Sequence, residues 1–246
     1  MNTEITSPIV VSELKGREEV AEQTIAFRFE KPGGWTFRAG QFIDMTLLNP
    51  SETDAEGNTR AFSIASGPHE RDLMVTTRMR NTAFKRVLKT LPIGAGVKID
   101  GPFGDLTLPH NADRTLVFIA GGIGITPFRS MLVSAAGEKL PHRIFLFYSN
   151  RRPEDAPFLE ELKALERENP NYRCIATMTA MDRSHRPWHG ETRLIDQEML
   201  YKHLKDAGSP IYYIAGPPAM VKGLHEMLNK MAVDDDDIRG EEFSGY

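Results

Sequence analysis

The hydrophobic residues of this chain change their spacing near residue 111, and that change most constrains the fold. From Ile9 to about Leu108, apolar residues mostly alternate with polar ones, as in TIAFRF, QFIDMTL and LMVTTRM. Such alternation is typical of antiparallel strands with one buried face. After the polar loop PHNADR, the apolar residues form short continuous runs such as TLVFIA, RIFLFY, CIATM and IYYIA. Runs of this kind favour strands that are buried on both faces. The sequence therefore predicts two halves built on different sheets.

Helical patterns separate the apolar runs of the second half, which predicts βαβ units and a parallel sheet. A nucleotide-type crevice is then expected at the carboxyl ends of its strands. The first half is expected to form a sandwich or barrel with one helix, NTAFKRVLKTL, for which Thr82 is a suitable N-cap. The predicted domains are residues 1–110 and 111–246.

Charge and cysteine content argue against several classes of protein. The net charge is -4 and no lysine-rich or arginine-rich run is present, so nucleic-acid binding is not expected. Cys174 is the single cysteine, so this sequence cannot supply an internal disulfide, a multi-cysteine zinc site or an iron-sulfur cluster. No metal site is expected. The first residues lack a signal-peptide pattern and no apolar run reaches about 18 residues, which predicts a soluble, cytoplasmic protein without a membrane span.

Two glycine-containing turns each follow a predicted buried strand. In LVFIAGGIGITPFRSML, three glycines allow a tight turn and close approach to a ligand, and Thr126 is expected to cap the following helix. A helix N-terminus at this place suits a diphosphate. Tight packing without a ligand is the alternative. The turn also differs from the usual dinucleotide fingerprint, because Pro127 stands where that fingerprint has its last glycine or an alanine. The second turn lies in IYYIAGPPAM. The two turns together predict one shared cleft; the alternative is that each is an ordinary connection between a strand and a helix. The glycines are Gly121, Gly122 and Gly124 in the first turn and Gly216 in the second.

The order of the short motifs is more specific than any one of them. RAGQF, RAFSIAS, NTAF, GPFG, GGIGITP, AGPPAM and a terminal aromatic residue follow one another between about residue 8 and Tyr246. This order resembles the ferredoxin-NADP reductase family of flavoproteins. The resemblance implies a six-stranded antiparallel Greek-key barrel that binds FAD, followed by a parallel α/β domain that binds NADP or NAD.

RAFSIAS carries most of the implied flavin contacts. The resemblance places Arg60 on the FAD diphosphate, Phe62 against the isoalloxazine ring and the hydroxyl of Ser63 at the reactive N5 edge. The family commonly has tyrosine where this chain has Phe62, so stacking is kept and a phenol hydrogen bond is lost. Taken alone, the segment could equally be an edge strand with a buried aromatic residue.

Further contacts with the two cofactors are implied by the same resemblance. Flavin contacts are expected from the strand after RAFSIAS and from the start of the first helix, although the family's glycine before that helix is not evident. Thr126 is expected beside the nicotinamide carboxamide, and the two glycine turns are expected to line the nucleotide. These residues are Thr77, Arg78, Thr82 and Ala83 for the flavin, and Gly121, Gly122, Gly124, Thr126, Gly216, Pro217 and Met220 for the nucleotide.

The end of the chain resembles the family's Glu-x-aromatic ending. Glu241 and Phe243 have that spacing, and Tyr246 follows three residues later. With Ser63, Glu241 and Phe243 are the predicted catalytic residues, and Phe243 or Tyr246 is expected to cover the second flavin face. The alternative is a tail that packs on the sheet. Ala215 replaces the family's cysteine, which leaves room for the nicotinamide but removes a sulfur contact.

The nicotinamide preference is expected to depend on residues after the strand RIFLFY. Ser149, Arg151 and Arg152 lie where family members that use NADPH present a hydroxyl and arginine to the 2'-phosphate, so the sequence favours NADPH. Glu154 and Asp155 follow directly in the sequence. The alternative is therefore that the two arginines are solvent-exposed residues that lead into a helix and bind no ligand.

The expected activity is transfer of a hydride from NAD(P)H to FAD and of electrons to an external carrier such as ferredoxin or flavodoxin, or to an oxygenase component. A basic group beside the flavin edge is expected to steer an acidic partner. A free-flavin or quinone reductase is one alternative, and a binding or regulatory protein without turnover is another. The basic group consists of Arg78, Arg80, Lys85, Arg86 and Lys89.

Overall fold

A computed structural model of the chain describes residues 10–243. Its first sheet has six antiparallel strands in the order β4-β3-β6-β1-β2-β5. The alternating sequence pattern predicted this sheet because each strand buries one face. The strands are β1 Val10–Ala21, β2 Thr24–Glu30, β3 Phe42–Leu47, β4 Thr59–Ser63, β5 Asp72–Arg78 and β6 Gly96–Phe103. The resemblance implies a turn at GPFG that closes the barrel, but most of GPFG forms the end of strand β6.

The segment RAFSIAS closes this sheet into a barrel. The strands β4 and β5 lie at its two edges, and an antiparallel bridge between Ile64 and Val75 joins them. The Ala65 amide donates to the Met74 carbonyl at 2.8 Å, and the Met74 amide donates to the Ser66 hydroxyl at 3.0 Å. Closure removes the exposed edges of a sheet. Ser66 therefore has a structural role in the seam between β4 and β5.

One helix, α1 Ala83–Thr90, packs on the core of the barrel. It buries Phe84, Val87 and Leu88, and the Thr82 hydroxyl accepts a hydrogen bond from the Lys85 amide at 3.4 Å. The predicted helix and its predicted N-cap are both confirmed. The helix thus begins at the same end of the barrel as Arg60, whose guanidinium lies 5.2 Å from the centroid of the Phe84 ring.

The second sheet has five parallel strands in the order β11-β10-β7-β8-β9. Two apolar clusters cover its two faces, one with α2 and α3 and the other with α4 and α5, which explains the continuous apolar runs. The predicted combination of an antiparallel barrel and a parallel α/β sheet is confirmed. The elements are β7 Leu116–Gly121, α2 Ile125–Gly137, β8 Ile144–Asn150, α3 Leu159–Glu168, β9 Tyr172–Met178, α4 Gln197–His203, β10 Ile211–Gly216, α5 Pro218–Lys230 and β11 Ile238–Glu242.

One local prediction for the second half needs correction, and one strand there was not predicted. The first helix after the glycine turn begins at Ile125 because a short 3-10 helix, Gly122–Gly124, leads directly into it. Thr126 is therefore already helical and does not cap; its hydroxyl donates to the Ile123 carbonyl at 3.1 Å. The acidic segment before β11 forms a 3-10 turn capped by Asp234, and the strand that follows it was not predicted.

The predicted boundary between residues 110 and 111 falls between the last strand of the barrel and the first strand of the parallel sheet, and it stays a prediction. Among residues 10–243, no helix combines the length and the apolar character needed to span a bilayer.

A buried arginine connects the two sheets. Arg129 lies on α2, is 4% exposed and donates to the Ala65 carbonyl at 2.7 Å. It also pairs with Glu70 of the barrel at 2.9 Å and with Glu161 of α3 at 2.5 Å. Burial alone would raise the pKa of Glu70, but hydrogen bonding and charge from Arg129 hold it below its ordinary value.

The residue after Arg129 makes a parallel contact. The Ser130 hydroxyl donates to the Ser66 carbonyl at 2.6 Å. Two consecutive residues of α2 thus bind two consecutive carbonyls, those of Ala65 and Ser66. Since α2 begins directly after the glycine turn, this contact fixes the barrel seam relative to that turn.

Replacing Arg129 with methionine should lower the free energy of unfolding by about 3 kcal/mol, because two carboxylates lose their buried partner. The measurement is urea denaturation at pH 7. Arg28→Met is the matched control, since Arg28 pairs with Glu18 at 3.0 Å on the surface, and its loss should cost less than about 1 kcal/mol. Equal effects of the two substitutions would contradict the proposed importance of the Arg129 contact.

Candidate functional site

An anion-binding cradle lies at the seam of the barrel. The Arg60 guanidinium on β4 pairs with the Asp54 carboxylate at 3.1 Å. The other oxygen of Asp54 accepts a hydrogen bond from the Ala83 amide, at the N-terminus of α1, at 3.1 Å. A guanidinium and a helix N-terminus are the donors that proteins use for phosphate groups. The cradle already holds one anionic group, so its donor set fits a flavin diphosphate.

The loop before β4 holds Arg60 in place. Its Nη1 donates to the carbonyls of Glu56, Gly57 and Thr59 at 3.0, 3.1 and 2.8 Å. The Glu56 carboxylate pairs with Nη2 at 2.9 Å. Together with the Phe84 ring, these contacts fix the guanidinium beside the start of α1.

Phe62 and Ser63 follow Arg60 along the seam and are nearly inaccessible. Phe62 is 9% exposed, belongs to the barrel core and has its ring centroid 5.8 Å from that of Phe84. Ser63 and Thr77 are also buried. The predicted stacking of a flavin on Phe62 stays a prediction, and little of this residue is exposed to take part in it.

The seam and the glycine turn are neighbours. Residues of β5 lie within 8 Å, between Cα atoms, of the turn Gly122–Gly124. Thr77 and Arg78, the predicted flavin contacts, are the last residues of β5. The strand β5 and the glycine turn Gly122–Gly124 therefore meet across the interface between the two sheets.

The two glycine turns lie side by side, as the sequence predicted, because β7 and β10 are paired. A Cβ on Gly124 would lie 2.3 Å from the Ala215 carbonyl oxygen, so this glycine is required for close packing of the turns. A Cβ on Gly121 would lie 2.4 Å from Met220 Sδ, and Gly121 also approaches Gly216. Packing thus explains both glycines without a ligand, and Met220 lies against the first turn.

The end of the described chain lies along the second turn. Glu241 pairs with Ala215 in the parallel sheet, and the Phe243 amide donates to the Gly216 carbonyl at 2.9 Å. For residues 238–243 the structure supports the alternative that the tail packs on the sheet. Phe243 is partly buried against the core beneath the sheet, and Tyr246 lies outside the described residues.

Glu241 is the most perturbed carboxyl group of this region. Its Oε2 atom is buried and has no hydrogen-bond partner among residues 10–243. Burial raises the pKa of Glu241 to about 6. The side chain lines a cleft of about 620 Å³ between β11 and the barrel, beside Phe42 and Leu106. A carboxyl group in this state can hold or release a proton near neutral pH.

A second cleft, of about 470 Å³, lies between the barrel and the end of β8. It has four arginines, but Arg152 is bound by Asp155 at 2.8 and 2.9 Å and by Glu22. Arg78 pairs with Asp155 at 3.4 Å. The side chain of Arg151 is exposed and has no ion pair within residues 10–243, and Ser149 is half-buried on β8. Arg151 is therefore the better placed of the two adjacent arginines to bind a ligand.

The predicted basic group surrounds the start of α1, but part of its charge is neutralised. Arg86 pairs with Glu52, and the Lys85 ammonium donates to the Arg78 carbonyl at 2.8 Å. Burial, with the charges of Arg80 and Arg60, lowers the pKa of Lys85 to about 8. Burial is the largest cause of this lowered pKa, and the charges of Arg80 and Arg60 add to it.

Sequence reasoning did not find Asp54 or Arg129. Asp54 lies in a polar segment whose composition is typical of a solvent-exposed loop. Arg129 did leave a signal, since it interrupts the apolar helix PFRSMLVSAA. A charged residue within a helix that is otherwise buried needs a partner.

Known proteins share the fold of this chain. Residues 118–226 match the family described as "Oxidoreductase NAD-binding domain". The chain has a ferredoxin-NADP reductase-like fold. A ferredoxin NADP+ reductase from Neisseria gonorrhoeae, solved with bound FAD and NADP, superposes with a TM-score of 0.77 at 21% identity. The match covers 95% of this chain and 98% of that one. The predicted resemblance to the ferredoxin-NADP reductase fold is confirmed.

Two kinds of curated relative are similar to most of this chain. One component of the Na(+)-translocating NADH-quinone reductase of Pseudoalteromonas atlantica is 28% identical over 231 residues, 88% of this chain and 54% of the relative. The phenol hydroxylase P5 protein of Acinetobacter pittii is 29% identical over 210 residues, 84% of this chain and 58% of the relative. The chain thus spans little more than half the length of these relatives.

Replacing Glu241 with glutamine should remove a pH dependence of stability. Between pH 4.5 and about 6 the folded state keeps a proton that the unfolded state has lost, so the parent loses stability as the pH rises through this window. From pH 4 to pH 7.5 the variant should gain about 2 kcal/mol of unfolding free energy relative to the parent. Urea denaturation across this range is the measurement, with Glu242→Gln at the exposed neighbouring position as control. If the difference in unfolding free energy between Glu241→Gln and the parent stayed constant across this pH range, the raised pKa of Glu241 would be contradicted.

Proposed function

We propose that this protein is an FAD-dependent NAD(P)H oxidoreductase that passes electrons to a separate acceptor. One observation carries the proposal: the anion cradle at the barrel seam and the glycine turn of the NAD-binding domain lie on neighbouring strands and turns of one interface. A flavin held by its diphosphate at the cradle and a dinucleotide held at the turn would then meet between the two sheets.

The cradle would bind the diphosphate through Arg60 and the amide at the start of α1. Arg60 offers a planar set of donors that matches phosphate oxygens, and the Ala83 amide adds the positive end of the helix. Ser63 and Thr77 would then lie at the ring end of the same two strands. FAD, when bound, supplies the exchange between a two-electron hydride donor and one-electron acceptors.

The protein's own residues would orient the rings, exclude water and handle a proton. Ser63 and Thr77 are buried, so the reactive edge would be shielded from solvent. Glu241 holds a proton up to about pH 6 and lies on the strand beside Ala215. The Thr126 hydroxyl donates to the Ile123 carbonyl, so in its predicted contact it would accept a hydrogen bond from the carboxamide NH2 group.

Ferredoxin, flavodoxin and an oxygenase component are the proposed acceptors. The phenol hydroxylase relative supports an oxygenase component, and the positive region around the start of α1 supports an acidic carrier. Attraction between such charges is weakened by salt.

A free-flavin reductase, in which flavin is an exchangeable substrate, is the second candidate function. The low exposure of Phe62 favours it, because little stacking surface is available to retain the flavin ring. Loss of FAD from the purified protein during gel filtration would support this candidate over the first.

Anaerobic mixing of the FAD-loaded protein with NADPH or NADH tests the proposed function. Bleaching of the flavin absorbance is expected, followed by its return when ferredoxin, flavodoxin or quinone is added. Arg60→Ala should weaken FAD binding by about tenfold to a hundredfold, since it removes charge-assisted hydrogen bonds. A protein that binds FAD but is reduced by neither nicotinamide would contradict the proposal.

Preference for NADPH should depend on Arg151 rather than Arg152. Arg151→Ala is expected to lower kcat/KM for NADPH by about tenfold and to leave NADH little changed, because only NADPH carries a 2'-phosphate. Arg152→Ala is the matched control; it should affect both nicotinamides alike, since Arg152 is already held by Glu22 and Asp155. Comparable losses for NADPH in the two variants would argue against this assignment.

A further inference from the structure

The loop between β3 and β4 places a carboxylate on the donors that a flavin diphosphate would need. Asp54 accepts from the Ala83 amide through one oxygen and from Arg60 through the other, each at 3.1 Å. The Glu56 amide donates to the same oxygen as Arg60, also at 3.1 Å. The carboxylate is thus held by three donors from three parts of the chain.

These contacts favour the ionised form of Asp54. Partial burial alone would raise the pKa of this carboxyl, but the amides of Glu56 and Ala83 and the Arg60 guanidinium hold it below its ordinary value. Asp54 is therefore a negative charge at neutral pH, in contact with the cradle's two main donors.

A diphosphate and the Asp54 carboxylate cannot use these donors together. Each is an anion that needs the Ala83 amide and the Nη2 atom of Arg60, and two anions at one cradle repel each other. The side chain of Asp54 is 32% exposed, so an incoming ligand can reach and replace it. Thr82 still caps α1 through the Lys85 amide when Asp54 leaves.

We propose that Asp54 is an internal competitor for the flavin diphosphate and that its displacement sets how tightly FAD is held. This inference rests on the proposed function, because it assumes that flavin binds at the seam. The loop gives the cradle an anionic occupant of its own, and cofactor binding would exchange one anion for another. The chain would therefore hold FAD more weakly than its donors alone allow.

A second acidic residue of the same loop provides an internal comparison. Glu52 pairs with Arg86, on the second turn of α1, and with neither donor of the cradle. Removing its charge changes the loop's net charge by the same amount as removing that of Asp54. Of these two residues, only Asp54 contacts the cradle donors and should compete with the diphosphate; Glu56 pairs with Arg60 but does not contact the Ala83 amide.

Titration of the flavin-free protein with FAD and with riboflavin tests this competition. Asp54→Asn should tighten FAD binding by about tenfold, equivalent to about 1.4 kcal/mol, because the neutral amide no longer repels the diphosphate. Riboflavin has no phosphate, so its dissociation constant should stay unchanged. ADP, which has the diphosphate without the flavin ring, should bind the variant more tightly and compete with FAD.

Glu52→Gln is the matched control and should leave all three dissociation constants unchanged. Equal FAD affinity in the parent and Asp54→Asn, with weaker binding by Arg60→Ala, would overturn the competition and leave the proposed function standing. Equal gains for FAD and riboflavin would also overturn it, since the charge would then not be the cause. Failure of the parent and all variants to bind FAD would overturn the proposed function together with this inference.

Discussion

The buried guanidinium of Arg129 is the contact on which the rest of the arrangement depends. A charge removed from water needs partners on all sides, and Arg129 finds them in Glu70, Glu161 and the Ala65 carbonyl. Glu70 and Ala65 belong to the barrel, whereas Glu161 belongs to the parallel half. The charge can be satisfied only when the two halves meet in one orientation, so the contact specifies the interface as well as stabilising it.

That orientation has a functional consequence because the same helix begins at the glycine turn. The carbonyls that α2 binds are those of Ala65 and Ser66, which directly follow the predicted flavin contacts on the seam. A site built from two domains requires accurate relative placement, since misplacement by about 1 Å can cost two orders of magnitude in rate. Here the placement is set within a few residues of both proposed cofactor positions.

Much of the fold could be predicted because its causes are local. The alternating pattern of the first half and the continuous apolar runs of the second directly reflect one-sided and two-sided burial, and Thr82 capped its helix as expected. The strand Ile238–Glu242 was not predicted. It pairs with β10 but consists mainly of glycine, arginine and glutamate, so it lacks the apolar run by which the other parallel strands were predicted. Thr126 was wrongly predicted as a cap because the preceding 3-10 turn, which has no distinct sequence signature, continues into the helix.

The candidate site could be located from the motif order but not described from it. RAFSIAS identified the seam, yet the sequence did not show that Ser66 closes the barrel or that Phe62 is almost buried. Asp54 was missed because its partners, Arg60 and Ala83, are brought together only by the closed barrel. Contacts between distant segments of this kind depend on tertiary structure, which local patterns do not encode.

A crystal structure of the protein with bound FAD and NADP+ tests the central claim most directly. The account predicts diphosphate oxygens of FAD within hydrogen-bond distance of the Arg60 guanidinium and the Ala83 amide, with the flavin ring between β5 and the Gly122–Gly124 turn. Asp54 should have left the cradle. FAD bound elsewhere, or at the seam with Asp54 still on both donors, would contradict the account.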